Sequence, residues 1–256
     1  MADIKAEIVK KIKLKRELSD ISDAIVSEVL EKEIKKHNIR LEALRKSSIK
    51  QLIKNARASL RIMSGQFVSS NKERMSLLKQ NRISDLLRTH SSAKERMDFY
   101  PEIRKIIQKL NISSILDLGC GLNPIALASS GIKYYAIDIK SSELELVKEY
   151  FKVNNINGNI FLQDLRKINS DLPEADLCLM LKVFDVLEKR GHKIAEQIIR
   201  HIKSKYLLIS FSTKTLSGKP MRHPQRGWIE RLLERLGFSY KTLKSNNEIF
   251  YLAEKL

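Results

Sequence analysis

Between Ile115 and Pro124 the chain reads Ile115-Leu116-Asp117-Leu118-Gly119-Cys120-Gly121-Leu122-Asn123-Pro124. An apolar run ends beside a carboxylate, passes through two glycines and enters a segment opened by proline, a favoured first-turn helix residue. Gly119 and Gly121 let the backbone bend tightly and approach a ligand closely. The helix N-terminus beyond them offers unpaired N–H groups. No third glycine completes GxGxxG and no phosphate-loop lysine follows, which sets aside the two commonest pyrophosphate cradles. Asp138 closes the next apolar run, Tyr134-Tyr135-Ala136-Ile137-Asp138, seventeen residues beyond Gly121. An acid there can accept hydrogens from both hydroxyls of a ribose. Asp164 follows a third run, and Lys182 ends a fourth, at the carboxyl edge where open α/β sheets hold ligands.

The elements that must carry these residues are legible in the periodicity. Short apolar runs at Ser114–Leu118, Tyr134–Asp138, Asn159–Leu162, Leu177–Lys182 and Tyr206–Phe211 alternate with amphipathic stretches such as Ser142–Asn154 and Asp185–Ile202. That alternation predicts a doubly wound parallel sheet. Two last runs, Phe238–Leu243 and Ile249–Glu254, are joined by five polar residues and predict an antiparallel hairpin. Residues 1–110 read differently: they hold one glycine and one proline, and their apolar residues (Val26, Leu30, Ile34; Ile49, Leu52, Ile53, Ala56, Leu60, Met63) recur at helical spacing. The expected organisation is an all-helical domain over 1–110 and an α/β domain over 111–256. Ser47 and Ser48 are expected N-caps of the helix that follows them.

Charge supports the same division. The 256 residues carry a formal net charge of +18, with net +12 in residues 1–110 and net +6 in the remainder. Such an excess points to a polyanionic partner. Lys50, Lys54, Arg57 and Arg61 fall within an arc of about 60° on one helix. From Arg40 to Arg61 there are seven basic residues and one acid, Glu42. Solvated, salt-bridged faces interleave both signs, so this stripe reads as phosphate-tracking. No apolar run approaches the ~20 residues of a membrane span, and Met1–Leu18 has no signal-peptide core. Two cysteines, Cys120 and Cys178, form neither a disulfide framework nor a metal knuckle, and His37, His192 and His201 lack ligand spacing and read as helix-surface residues. The expectation is a metal-free, monomeric, cytoplasmic protein.

The Asp-x-Gly-x-Gly turn at the end of a first strand resembles motif I of class I S-adenosylmethionine (SAM) methyltransferases. The fourth strand ends Leu181-Lys182-Val183-Phe184, without the Pro-Pro-aromatic motif of enzymes that methylate exocyclic amines. Cys120 lies in the turn and Cys178 inside a strand, so neither is placed as a cytosine-C5 nucleophile. Without an evident base or nucleophile the acceptor must itself be nucleophilic. Guanine N7 fits, because its lone pair attacks with no proton to remove and the task reduces to positioning.

Three stretches make the resemblance specific: Leu87-Arg88-Thr89-His90-Ser91-Ser92-Ala93-Lys94-Glu95-Arg96, the turn with its Leu122-Asn123-Pro124 tail, and Ile209-Ser210-Phe211-Ser212-Thr213-Lys214-Thr215-Leu216-Ser217-Gly218-Lys219. Together they are similar to the aminoglycoside-resistance 16S rRNA (guanine-N7) methyltransferases, and Ile53–Leu60 and Gly65–Val68 look like that family's auxiliary domain. The resemblance implies SAM as cofactor and the 16S rRNA of the 30S subunit, in its decoding region, as substrate. It implies that Arg96 meets the SAM carboxylate, that Asp117, Gly119 and Gly121 form the turn beside the methionine part, that Asp138 takes the ribose and that Asp164 with Leu165 takes the adenine. Lys182, Ser210 and Lys214 would line the target base, with Lys219 and the Lys50, Lys54, Arg57, Arg61 stripe on RNA. Ala93 stands where the family has Thr and Ser212 where it usually has Pro, and Pro220–Gly227 departs from the family's pattern. Another rRNA or tRNA position, and a non-catalytic ribosome-binding factor of the same fold, remain alternatives.

Overall fold

The structure, a computed structural model, describes residues 2–15, 18–19, 21–37, 39, 46–64, 71–168, 172–188, 191–215 and 218–256. Arg40, Glu42, Arg45, Gly65–Val68 and Leu216–Ser217, used in the sequence reading, lie outside the described residues. The chain divides into two compact units, Met1–Phe67 with Ile139–Ser142, and Val68–Asp138 with Glu143–Leu256.

Among the described residues, the first unit contains three helices: α1 (Ala2–Lys13), α2 (Asp23–Lys36) and α3 (Lys46–Ser64). Their i, i+3, i+4 apolar positions meet in one core of Ile8, Ile12, Val26, Leu30, Leu52, Ala56 and Leu60, all at most 2% exposed. The Ser22 hydroxyl accepts from the Ile25 N–H and caps α2, with Asp23 in its first turn and Lys35 and Lys36 in its last, matching the helix dipole at both ends. Helix α3 begins at Lys46, so Ser47 and Ser48 lie in its first turn instead of before it.

The second unit begins with α4 (Asn71–Lys79), α5 (Ile83–Arg88), α6 (Ser91–Arg96) and α7 (Tyr100–Lys109). The division therefore falls near residue 67, well before the expected 110. The physical reason is visible in α4: buried Arg74 donates to Glu143 Oε1 at 3.0 Å and to Thr89 Oγ1 at 3.1 Å. In α7, Ile103 and Ile107 join the core of the sheet.

The sheet follows: β1 (Ser114–Leu118), α8 (Asn123–Leu127), β2 (Lys133–Asp138), α9 (Ser141–Val153), β3 (Gly158–Leu162), β4 (Leu177–Leu181), α10 (Val183–Leu187), α11 (Lys193–His201), β5 (Tyr206–Ser212), α12 (Gly227–Arg235), β6 (Phe238–Lys244) and β7 (Glu248–Lys255). Strand order is β3-β2-β1-β4-β5-β7-β6. The first five strands are parallel, and β7 inserts antiparallel between β5 and β6. The expected α/β sheet with its terminal hairpin is present. Order reverses between β1 and β4, and the carboxyl ends of such a switch are where open α/β sheets hold ligands. The amphipathic stretch Asp185–Ile202 is two helices, because Gly191 and His192 take left-handed backbone (φ 87° and 54°) between α10 and α11.

Candidate cofactor and target-base site

Asp117, at the end of β1, is completely buried. Its Oδ2 accepts from the Tyr134 hydroxyl at 2.8 Å and its Oδ1 from Asn123 Nδ2 at 3.4 Å. Burial pushes this carboxyl up to about 7, while the Tyr134 and Asn123 hydrogen bonds oppose the rise. Its visible work is to tie β1 to β2 and to the start of α8. The turn itself requires glycine twice. Gly119 has φ +68°, and a Cβ there would lie 3.0 Å from Val183 Cγ2; Gly121 has φ +48°, and a Cβ there would lie 2.8 Å from His90 Nε2. Gly119 thus brings the β4–α10 junction and Leu165 against the turn, while Gly121 brings α6's N-cap residue, His90.

Asp138 closes β2 with its Oδ2 accepting from the Gly121 N–H at 2.8 Å. The strand-end acid and the glycine turn are therefore one feature. Asp164 caps a single 3-10 turn, Leu165–Lys167, by accepting from the Arg166 N–H at 3.0 Å, and it pairs with the Arg166 guanidinium at 2.9 Å. A glycine turn with a carboxylate on its rim at the strand-order switch fits an adenosine-type cofactor: a backbone approach for the tail and an acid for the ribose.

Beyond the turn stands a residue the sequence reading missed, Glu248, at the start of β7. It is completely buried. Its Oε2 accepts from Arg96 Nε and Nη2 at 3.2 and 3.0 Å and from the Ser210 hydroxyl at 2.6 Å. Its Oε1 lies 3.5 Å from Lys182 Nζ. Arg96 Nη1 donates to Asn123 Oδ1 at 2.8 Å, and so does the Tyr100 hydroxyl at 2.9 Å. One polar chain therefore runs Asp117–Asn123–Arg96–Glu248–Ser210, and Ser210 Oγ accepts from the Lys182 N–H at 3.1 Å. Burial works against the Arg96 charge, but Glu248 and Tyr100 together offset it and raise the pKa. Lys182 holds left-handed backbone (φ 61°) with its ammonium also against Glu95. Strain of this kind in a non-glycine residue persists where surroundings over-determine it.

The structure thus brings Arg96, Asp117, Ser210 and Lys182 into one network, and Gly119, Gly121, Asp138 and Leu165 around one turn. Asn123 was visible in the Leu-Asn-Pro tail. Glu248 carried no local signal, since it sits among the polar residues of a hairpin connection. Lys214 and Lys219 belong to a separate loop, closed by a bridge between Lys214 and Pro220 and by the Thr215 N–H donating to Lys219 O at 2.8 Å. The atypical segment after it is organised by Arg226, which donates to Pro224 O at 2.8 Å and Ser212 O at 3.1 Å and lies 3.7 Å from Asp185. His192 corrects the sequence reading: it is half-buried and stacks on Trp228 with 4.0 Å between ring centroids.

Within the helical unit, Lys50 and Lys54 are exposed, and Arg61 is half-buried. Arg57 is turned inward: its Nε donates to Ile12 O at 3.2 Å and its Nη2 to Lys11 O, satisfying carbonyls at the C-terminus of α1. It belongs to the packing of the unit more than to a free basic face. Burial raises both cysteine thiols well above their usual range, which leaves them poor nucleophiles. Among the described residues no group of three or more His, Cys, Asp and Glu could hold a metal, and no helix is long and apolar enough to cross a membrane.

A seven-stranded sheet of this order, with a glycine turn after β1 and an acid after β2, defines the class I SAM-dependent methyltransferase fold. Solved structures agree: the 16S rRNA methyltransferase RmtF, crystallised with S-adenosyl-L-homocysteine, superposes with TM-score 0.81 at 23% identity over 100% of both chains. The 16S rRNA methylase RmtB superposes with TM-score 0.79 at 21% identity over 98% of both. Residues 50–252 match the FmrO ribosomal RNA methyltransferase model, and the chain belongs to that family. Among characterised relatives, a 16S rRNA (guanine(1405)-N(7))-methyltransferase of Serratia marcescens is 27% identical over 219 residues, 82% of this chain and 86% of that protein. One from Frankia casuarinae is 25% identical over 183 residues, 68% of this chain, and the chain spans only 64% of that protein's length.

Proposed function

We propose that this protein transfers a methyl group from SAM to guanine N7 of 16S rRNA, acting as a monomer on the decoding region of the 30S subunit in the cytoplasm. The observation that carries the reading is the joining of the glycine turn to Lys182 and Ser210 through Arg96 and Glu248, on a chain whose family is shown. When bound, SAM supplies an electrophilic methyl on a sulfonium. The residues that would hold it are Asp138 at the ribose, the Gly119–Gly121 backbone beside the methionine part, Leu165 and Asp164 at the adenine, and Arg96 at the carboxylate.

N7 methylation needs no general base, because the guanine N7 lone pair carries no proton to remove. With SAM held there, a guanine lone pair would take the methyl as the S–C bond breaks, and the positive charge would pass to the purine. A bare ammonium beside that purine would oppose the change. Lys182 is compensated by Glu95 and Glu248, so it can orient a base by hydrogen bonding while adding little net positive field. Rate enhancement then comes from alignment. Lys50, Lys54 and Lys219 supply phosphate contacts that place the enzyme without reading sequence. The loop ordered by Arg226 supports a second reading, a different rRNA nucleotide, because Pro220–Gly227 departs from the family's pattern.

Incubating purified 30S subunits with labelled SAM and mapping the modified base tests both. A 7-methylguanine in the decoding region is the expected product. A modification elsewhere moves the assignment to the second reading. An unmodified subunit together with absent S-adenosylhomocysteine binding by calorimetry would leave a ribosome-binding factor.

A further inference from the structure

The two faces of the sheet are not equally covered. In-register neighbours on parallel strands point to the same side. Leu116 pairs with Tyr135, which pairs with Asn159; Leu118 pairs with Ile137, which pairs with Phe161. Along these rows burial falls away: Leu116 and Leu118 are 0% exposed and Ile137 1%, whereas Phe161 is 37% exposed. Tyr135 is half-buried and Asn159 is exposed. The cause is the connection from β3 to β4. Among its described residues it holds only the 3-10 turn Leu165–Lys167, where a crossover helix would ordinarily cover the strands. Left open is a patch of Lys133, Tyr135, Asn159 and Phe161. The Tyr135 and Phe161 ring centroids are 6.4 Å apart, tilted by 40°, and Lys133 Nζ lies 5.1 Å from the Tyr135 ring centroid.

We propose that this open face docks an unpaired stretch of RNA, a contact separate from the helical unit and from the target-base edge. It rests on the rRNA reading above. Two rings at the edge of an open sheet offer stacking platforms for bases, the ammonium meets phosphate, and the Asn159 amide can bond a base edge. The four residues include one cation and no acid, and the chain carries +18 overall, which favours a polyanion. An apolar protein partner would not be served by the exposed Lys133 and Asn159 that frame the rings.

The test uses the full-length chain, a labelled single-stranded oligoadenylate and S-adenosylhomocysteine as a control ligand. Phe161 is exposed enough for Phe161→Ser to leave the core intact. That variant is expected to bind the oligonucleotide about tenfold or more weakly, as loss of a stacked base implies. Phe161→Trp should restore binding, and Lys133→Ala should reduce the salt slope by about one. Affinity for S-adenosylhomocysteine should stay unchanged in all three. Parent-like oligonucleotide binding by Phe161→Ser, or no binding by the parent, overturns the proposal. So does a Phe161→Ser variant that keeps oligonucleotide binding but loses self-association or small-subunit binding, since the face then serves a protein. A parent that fails to bind S-adenosylhomocysteine strikes the methyltransferase reading instead.

Discussion

At the scale of single residues, the informative contrast is between a motif's letters and what its side chains do. Asp117 is the acid of the turn motif, yet it is sealed under Tyr134 and Asn123 with no exposed surface. A carboxyl whose folded pKa is raised binds its proton more tightly in the native state. The stabilisation is therefore complete at pH values below the unfolded pKa near 4, and it is lost as pH rises through the folded value of about 7. Asp117→Asn cannot ionise and escapes this loss. Its unfolding midpoint relative to the parent should rise between pH 4 and pH 8, measured by thermal melts across that range. A difference that stays flat with pH would mean that folding does not raise the Asp117 pKa. Arg57 teaches the same lesson: its place in a basic stripe is right by spacing, but two carbonyls of α1 claim its guanidinium.

At the scale of elements, the hairpin matters most. Inserting β7 between β5 and β6 sets Glu248, the first residue of β7, opposite Ser212 on β5, where its side chain reaches the Ser210 hydroxyl. There it neutralises Arg96, which arrives from α6. Glu248→Gln keeps the shape and removes the charge, stranding a buried guanidinium. Breaking one side of such a pair typically destabilises by about 3–5 kcal/mol. Ser210→Ala removes one hydrogen bond and should cost about 1–2 kcal/mol. Urea unfolding of both variants measures this, and equal midpoints would remove Glu248 from the centre of the network. The hairpin itself was legible from two apolar runs around a polar turn. Which strand it would pair with, and so where Glu248 would end up, was not. The break between α10 and α11 falls in Glu188–Lys193, six residues without a large apolar side chain and with Gly191 among them, a signal the sequence reading passed over.

At the scale of the whole molecule, charge acquires a division of labour within each unit. In the helical unit Lys50 and Lys54 are exposed while Arg57 is a packing residue. Reversing Lys50 and Lys54 to Glu should weaken 30S binding, lower the salt slope by about two and leave the melting temperature unchanged. Arg57→Glu should instead lower the melting temperature. Filter binding across salt concentrations, with melts alongside, separates the two, and a double reversal that binds like the parent would discard the docking role of the stripe. The amino-acid sequence by itself determined the sheet's strands, the glycine turn, the strand-end acid, the basic excess and the family, because each is a local pattern or a motif of fixed spacing. Tertiary structure alone decided the rest: the boundary near residue 67, the burial of Asp117, the open face beside Phe161, and the meeting of Arg96 with Glu248. That last pair lies 152 positions apart in the chain. Local periodicity reports only which face of an element is apolar, so the partner of a buried charge is chosen by the packing of whole elements.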